Sequence, residues 1–170
     1  VGGSLGARSI NLALKAGVDE LLDAGVQVIW QTGKLFAEES KQILSSRENR
    51  PLVITEFIFD MDMAYAAADV VISRAGAIAV SELCIIGKPA ILVPFPFAAE
   101  DHQTKNAEAL VKTHAAIMVA DKDASKELVR QIKSLVADDA KRALLSGNIK
   151  KHALPSAASH IAQHVIDLAQ

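Results

Sequence analysis

The stretch from Val70 to Pro94 constrains the fold of this chain more than any other part of the sequence. The apolar residues 70–72 are typical of a short buried strand, and they lead into a turn of small residues at 73–77. A helix closed by Gly87 follows, and a second apolar strand begins at Ala90. Two strands joined by one helix form a βαβ unit, which predicts a parallel sheet. In such sheets ligands bind beyond the carboxyl ends of the strands, where the 73–77 turn is expected.

Composition limits the class of protein. A chain of 170 residues with 51% hydrophobic and 22% charged residues can bury the core of one globular domain. The formal charge of -2 gives no electrostatic case for a nucleic-acid partner. Cys84 is the single cysteine, so no internal disulfide can form, and we interpret it as a small apolar side chain in a reducing compartment. No apolar run has the length of a membrane helix and no signal peptide is visible, so we expect a cytoplasmic protein.

Strand and helix patterns alternate along the chain. Strands are predicted at 26–30, 52–55, 70–72, 90–94 and 115–119, and helices at 6–24, 35–46, 61–68, 78–86, 102–113, 124–136, 140–152 and 156–169. The alternation predicts an α/β fold, a doubly wound parallel sheet with a helical C-terminal tail. The first six residues have the form of a turn that leaves a strand, yet no strand precedes them, which suggests a piece of a longer protein.

A glycine-rich segment opens the first helix. Gly2, Gly3 and Gly6 would let the backbone approach a phosphate, and the hydroxyl of Ser4 would add a donor. A tight turn between strand and helix explains the same glycines. The segment lacks the Lys-Ser/Thr ending of a P-loop and the full spacing of a dinucleotide fingerprint, so both interpretations stay open.

Polar residues follow two other predicted strands. Glu82 could accept hydrogen bonds from a ribose diol, or it could only complement the dipole of its helix. Arg74 could pair with a phosphate or with a carboxylate elsewhere in the fold. His102, Gln103 and Asn106 begin a helix and carry the imidazole and amide groups that suit sugar hydroxyls, although each alone could be a surface or capping residue.

Taken together, these segments closely resemble the C-terminal half of a family of bacterial GT-B glycosyltransferases. That family adds N-acetylglucosamine to the lipid-linked muramyl-pentapeptide precursor of peptidoglycan. The resemblance covers essentially the whole chain in order and spacing, and it is carried by residues 2–8, 56–58, 68–77, 81–82, 87–90, 94–95 and 101–107.

The resemblance implies a Rossmann-like domain, one of two that face each other across a cleft. Residues 1–170 would be the UDP-sugar (donor) domain. The acceptor site, the general base and the surface that docks on the inner membrane would belong to an N-terminal domain absent from this chain. The full-length protein would lie on the cytoplasmic face of that membrane, with no metal and no cofactor required.

The donor contacts of the family carry over onto seven positions. Uracil would be held by the main chain of Ile58, the ribose by Glu82, the diphosphate by Ser4, the phosphate and sugar by the main-chain N–H groups of Ala77 and Ile78, and the N-acetylglucosamine hydroxyls by His102 and Gln103.

The implied reaction inverts the anomeric centre of the donor sugar. Because no residue of this chain is expected to be catalytic, the isolated chain should bind UDP or UDP-N-acetylglucosamine weakly and transfer nothing. Two alternatives remain at this stage. One is another GT-B enzyme that uses UDP-N-acetylglucosamine, such as a non-hydrolysing 2-epimerase, and the other is a nucleotide-binding module without catalysis.

Overall fold

The computed structural model describes residue 2 and residues 5–169. Its strands are β1 (Val28–Gln31), β2 (Leu52–Thr55), β3 (Val71–Ser73), β4 (Ala90–Leu92) and β5 (Ile117–Met118). Its α-helices are α1 (Arg8–Asp23), α2 (Ala37–Ser45), α3 (Met61–Ala67), α4 (Ala77–Ile86), α5 (His102–Lys112), α6 (Ala124–Val136), α7 (Asp139–Ile149) and α8 (Ala157–Leu168). Short 3-10 turns occupy Lys34–Phe36, Ala99–Asp101, Asp121–Asp123 and Lys150–His152.

The described strands form two parallel sheets. In one, β1 pairs with β2, with Val28 opposite Leu52. In the other, β4 lies between β3 and β5, and Ile91 is opposite both Ile72 and Ile117. Because every pairing is parallel, the carboxyl ends of the strands within each sheet meet at one edge, where the loops to the following helices begin.

Hydrophobic packing covers both faces of β4. Ile91 is fully buried in a cluster that also contains Trp30 and Leu52 of the other sheet, together with side chains of α1 and α6. The adjacent Ala90 and Leu92 point to the opposite face and pack in a second cluster with side chains of α4 and α5. The predicted arrangement of a parallel sheet with helices on both faces is therefore confirmed, and the first cluster joins the two sheets into one core.

Most element boundaries agree with the pattern in the sequence. The bounds of β2 and α6 are those predicted, whereas α1 begins at Arg8 rather than residue 6 because Gly6 has a left-handed φ of +82°. Asp101 precedes α5 and is of a residue type that often caps helices, but its Oδ1 accepts a hydrogen bond from Thr104 Oγ1 at 2.6 Å, and no side-chain bond caps the helix.

Cys84 is 3% exposed within the second cluster, as expected of a small apolar side chain, and burial raises the pKa of its thiol. No residue of α8 is buried. Among the helices described, none has the length and apolarity that a bilayer crossing requires.

Candidate functional site

The turn between β3 and α4 presents unpaired backbone donors. The helix follows Gly76, which is extended, with φ -65° and ψ 150°, and supplies no side-chain cap. The N–H groups of Ala77 and Ile78 have no acceptor within the described part of the chain, and the Ile78 side chain is 78% exposed. Since the first turn of a helix carries partial positive charge, these donors favour an anion. The predicted contribution of Ala77 and Ile78 is thus geometrically available.

Two side chains of α5 hold this turn in place. Ala75 is fully buried, its N–H donates to Gln103 Oε1 at 3.2 Å, and its carbonyl accepts from Asn106 Nδ2 at 3.0 Å. Gln103 Oε1 also accepts from the N–H of Phe95 at 3.0 Å. The oxygen of Gln103 therefore ties the turn after β3 to the loop after β4, and Asn106 contacts the backbone instead of standing free for a sugar.

Arg74 pairs with a carboxylate inside the domain. Its Nη1 lies 2.5 Å from Asp121 Oδ1 and donates to the carbonyls of Val93 and Pro94 at 3.0 and 3.1 Å, while Nη2 donates to Ser9 Oγ at 3.1 Å. The side chain is 15% exposed. Of the two partners that the sequence left open for Arg74, a phosphate and a carboxylate, the structure shows the carboxylate.

Glu82 lies on the same face of α4 as Ile78, four residues earlier, and it is exposed. Its Oε2 accepts a hydrogen bond from the hydroxyl of Tyr65 at 3.2 Å, and Oε1 has no partner within the described part of the chain. Tyr65 is 7% exposed. Burial, and to a lesser degree the charge of Glu82, raises the pKa of Tyr65 to about 12, so this hydroxyl is the donor. No sequence motif pointed to Tyr65, because a pairing across 17 positions has no local pattern.

His102 and Gln103 each keep one polar atom for a ligand. His102 Nδ1 lies 2.7 Å from the carbonyl oxygen of Ala99. Since a carbonyl can only accept, Nδ1 carries the hydrogen, and in the neutral ring Nε2 is an acceptor. Gln103 uses its oxygen internally, which leaves the Nε2 amide as a donor. An acceptor and a donor therefore occupy adjacent positions at the start of α5.

Ile58 lies in the loop after β2. Neither its N–H nor its carbonyl has a hydrogen-bond partner within the described residues, and its side chain is half-buried. The rings of Phe57 and Phe59 flank it and meet edge to face, with centroids 5.1 Å apart. Thr55 Oγ1 donates to the carbonyl of Phe57 at 2.9 Å. The loop is thus ordered by its neighbours while the main chain of Ile58 stays available, as a uracil contact requires.

The glycine-rich turn is packed against backbone. Ser4, predicted to contact the diphosphate, lies outside the described residues. A Cβ on Gly6 would lie 2.1 Å from the carbonyl oxygen of Thr32, and a Cβ on Gly33 would lie 2.1 Å from the nitrogen of Gly6. The tight-turn interpretation therefore accounts for Gly6, since its missing side chain makes room for the protein's own backbone.

The structure links some predicted site residues and leaves others apart. Gln103 forms no hydrogen bond with Ala77 itself but bonds to the turn that leads to it, whereas no hydrogen bond joins Ile58 to Glu82 within the described part of the chain. A cavity of about 380 Å³ opens beside the start of α5 and contains none of the predicted site residues; it is lined by Pro94, Pro96, Phe97, Thr104, Ala120, Asp121 and Lys122. Residues 2 and 5–169 include no group of three or more His, Cys, Asp or Glu side chains that could hold a metal ion.

Comparisons with known proteins agree with one another. The sequence matches the family described as glycosyltransferase family 28 C-terminal domain over residues 1–161. It is 48% identical over 168 residues to the UDP-N-acetylglucosamine--N-acetylmuramyl-(pentapeptide) pyrophosphoryl-undecaprenol N-acetylglucosamine transferase of Parabacteroides distasonis, with 99% of this chain and 46% of that protein covered. It is 51% identical over 172 residues to the Bacteroides thetaiotaomicron protein of the same name, with 100% and 46% covered.

A solved structure is similar over the same range. The crystal structure of Acinetobacter baumannii MurG superimposes with a TM-score of 0.76 at 33% identity, covering 99% of this chain and 47% of that one. The chain therefore spans about half the length of the relatives it matches.

Proposed function

This chain belongs to the family of glycosyltransferase family 28 C-terminal domains, and from that membership we propose that it is the donor-binding half of an N-acetylglucosaminyltransferase. The donor is UDP-N-acetylglucosamine and the acceptor is a lipid-linked muramyl-pentapeptide, the two substrates that the names of its relatives specify. Identities of 48% and 51% over almost the whole chain support the same donor chemistry. The acceptor site belongs to the other half of the enzyme.

The observation that carries this proposal is the arrangement on α4. The free N–H groups of Ala77 and Ile78 suit a diphosphate, and the unpaired Oε1 of Glu82 suits the hydroxyls of a ribose. Ile78 and Glu82 are four residues apart, which is about 6 Å along a helix. Diphosphate and ribose are neighbouring groups of a nucleoside diphosphate, so one ligand can use both sites.

The two ends of the donor have complementary groups on two further segments, the loop after β2 and the start of α5. Uracil has an edge with one N–H and one carbonyl, which matches the free carbonyl and N–H of Ile58. The sugar has hydroxyls that both donate and accept, which match the acceptor Nε2 of His102 and the donor Nε2 of Gln103. Ser4 remains part of the proposal as a diphosphate contact.

The proposed reaction is an inverting transfer. A hydroxyl of the muramyl sugar, deprotonated by a base outside this chain, attacks the anomeric carbon. The bond from that carbon to the UDP oxygen breaks, and the N–H groups of Ala77 and Ile78 stabilise the negative charge on the departing UDP. Because the acceptor carries an undecaprenol lipid, the whole enzyme works on a membrane, at the cytoplasmic face of the inner membrane in this proposal.

Calorimetric titration of the isolated chain tests the donor site. We expect UDP and UDP-N-acetylglucosamine to bind with millimolar or tighter affinity, and Glu82→Gln to weaken UDP binding about tenfold by loss of charge-assisted hydrogen bonds. Glu108→Gln is the matched control, because Glu108 is an exposed glutamate of α5 outside the proposed site. No detectable heat at millimolar UDP with a folded protein would overturn the proposal. So would equal effects of the two substitutions.

A further inference from the structure

We propose that Asn106 is a positioning residue for the diphosphate of the donor, acting through the backbone of the turn between β3 and α4. The inference rests on the proposed function, and it gives a role to a side chain that the sequence pattern assigned to the sugar. Asn106 itself need not touch the ligand.

The inference rests on two hydrogen bonds between side chains of α5 and the backbone of Ala75. Gln103 and Asn106 are three positions apart, so their side chains lie on one face of the helix. Gln103 Oε1 accepts the N–H of Ala75, and Asn106 Nδ2 donates to its carbonyl at 3.0 Å. Ala75 is fully buried, so water cannot replace either bond. Both peptide groups that flank Ala75 are therefore held in fixed orientations.

One of those peptide groups includes the N–H of Gly76. In a trans peptide the carbonyl of Ala75 and the N–H of Gly76 lie in one plane and point in opposite directions. By fixing that carbonyl, Asn106 directs the Gly76 N–H away from α5. The Gly76 N–H has no acceptor within the described residues, and it stands next to the free donors of Ala77 and Ile78. Asn106 thereby orients the first of three successive donors, and the start of α4 orients the other two.

Gly76 makes such an anchor necessary. Glycine rotates about its backbone bonds more freely than any other residue, so the peptide between Ala75 and Gly76 could turn over if nothing held it. The position of a Cβ on Gly76 is open space, with no heavy atom within 4 Å, so an anion can approach the backbone there. A freely rotating peptide at this point would lose part of its electrostatic complementarity to a diphosphate.

The test compares ligands with and without the diphosphate. Titrations followed by NMR give the affinities for UDP and for uridine in wild type, Asn106→Ala and Asn106→Asp. The aspartate keeps the shape of the side chain and, when ionised, cannot donate to the Ala75 carbonyl. We expect both variants to bind UDP about three- to tenfold more weakly, as the loss of one well-placed hydrogen bond allows, with uridine affinity changed less than about twofold.

Asn148→Ala is the matched control. Asn148 Nδ2 also donates to a backbone carbonyl, that of His114 at 3.1 Å, but Asn148 belongs to α7, which contributes no residue to the proposed site. It should leave both affinities unchanged. Thermal melting of every variant checks that it is folded, and Asn106→Asp serves alone if Asn106→Ala does not fold.

The outcomes separate the inference from the proposed function. If wild type binds UDP no better than uridine, the diphosphate site itself is refuted. If wild type prefers UDP and the Asn106 variants keep the full preference, or lose affinity for both ligands equally, the positioning role is refuted and the donor site stands.

Discussion

Arg74 and Asp121 form an ion pair across the carboxyl edge of the three-stranded sheet, with Nη1 and Oδ1 2.5 Å apart. The pair joins the end of β3 to the 3-10 turn after β5, and the same guanidinium binds the carbonyls of Val93 and Pro94 after β4. One side chain therefore connects the ends of three neighbouring strands. Because the proposed site is built from the loops that start there, its parts are placed relative to one another before any ligand binds.

Removing the Arg74 guanidinium should destabilise the domain. Arg74→Lys keeps a charge but cannot reach the two carbonyls, Asp121 and Ser9 together, so partly buried acceptors lose their donors. We expect the free energy of unfolding to fall by about 2–4 kcal/mol, near the lower range for breaking a buried pair. Urea denaturation measures the loss.

A surface ion pair provides the comparison for Arg74. Lys133 and Glu20 are 2.7 Å apart with side chains 38% and 58% exposed, so Lys133→Met should change stability by less than about 0.5 kcal/mol. A similar small change for Arg74→Lys would show that the network after β3, β4 and β5 does not stabilise the fold.

The hydroxyl of Tyr65 should lose its proton at a higher pH than that of a solvent-exposed tyrosine. It is the single tyrosine of the chain, so the ultraviolet absorbance of tyrosinate reports it directly. Burial first, and then Glu82, raises its pKa from 10.0 to about 12. Since the unfolded chain loses this proton at lower pH than the folded chain, stability contributed by Tyr65 is complete below pH 10 and is lost as the pH rises to about 12.

Glu82→Gln separates the two causes of that shift. Loss of the carboxylate charge should lower the midpoint of the Tyr65 titration, but not as far as 10.0, because burial is the larger cause of the raised pKa. Glu108→Gln should leave the midpoint in place. A midpoint near 10.0 in folded wild type would contradict the burial of Tyr65, and a midpoint that Glu82→Gln leaves unchanged would contradict its contact with Glu82.

The order of the elements was predictable because it depends on local patterns. A short run of apolar and β-branched residues identifies β2, and apolar residues at helical spacing identify α6, both with correct bounds. The turn at 73–77 was also recognised, since small residues between an apolar strand and a helix are visible without a partner. Such features need only neighbouring residues, which the sequence displays.

The polar contacts of the site were not predictable in the same way. Arg74 finds Asp121 across 47 positions, and Asn106 finds the carbonyl of Ala75 across 31. The sequence shows that these groups can form hydrogen bonds, but not which partner lies within reach, because that depends on the register of the strands and on side-chain rotamers. For this reason the sequence suggested a sugar contact for Asn106, whereas its amide donates to the carbonyl of Ala75.

Gly33 should tolerate substitution less well than Gly25, although both have a positive φ. Its φ of 75° and ψ of 165° fall in a region that is essentially restricted to glycine, and a Cβ would lie 2.1 Å from the nitrogen of Gly6. We expect Gly33→Ala to lower the free energy of unfolding by at least about 3 kcal/mol. Gly25 has a φ of +80° but open space at its Cβ, so Gly25→Ala should cost only about 1–2 kcal/mol. Equal losses in chemical denaturation would show that the close approach of the two turns is unimportant.

His102 should contribute to recognition of the sugar and not of the nucleotide. Its Nδ1–H is held by the carbonyl of Ala99, which aims the acceptor Nε2 in one direction, and the residue lies at the exposed start of α5. Removing the ring by His102→Ala takes away one hydrogen bond to a hydroxyl but leaves α4, where Glu82 and Ile78 are proposed to hold UDP. We therefore expect UDP-N-acetylglucosamine to bind about three- to tenfold more weakly and UDP to bind as before.

Lys105→Ala controls for a general disturbance of α5 in that experiment. Lys105 is exposed on the same helix and its side chain takes part in no hydrogen bond or ion pair within the described part of the chain, so neither affinity should change. Calorimetric titration of each variant with UDP and with UDP-N-acetylglucosamine gives the ratio of the two affinities. If His102→Ala weakened UDP and UDP-N-acetylglucosamine by the same factor, His102 would support the shape of the loop rather than contact the sugar, and the acceptor for the sugar hydroxyl would have to be sought on another residue.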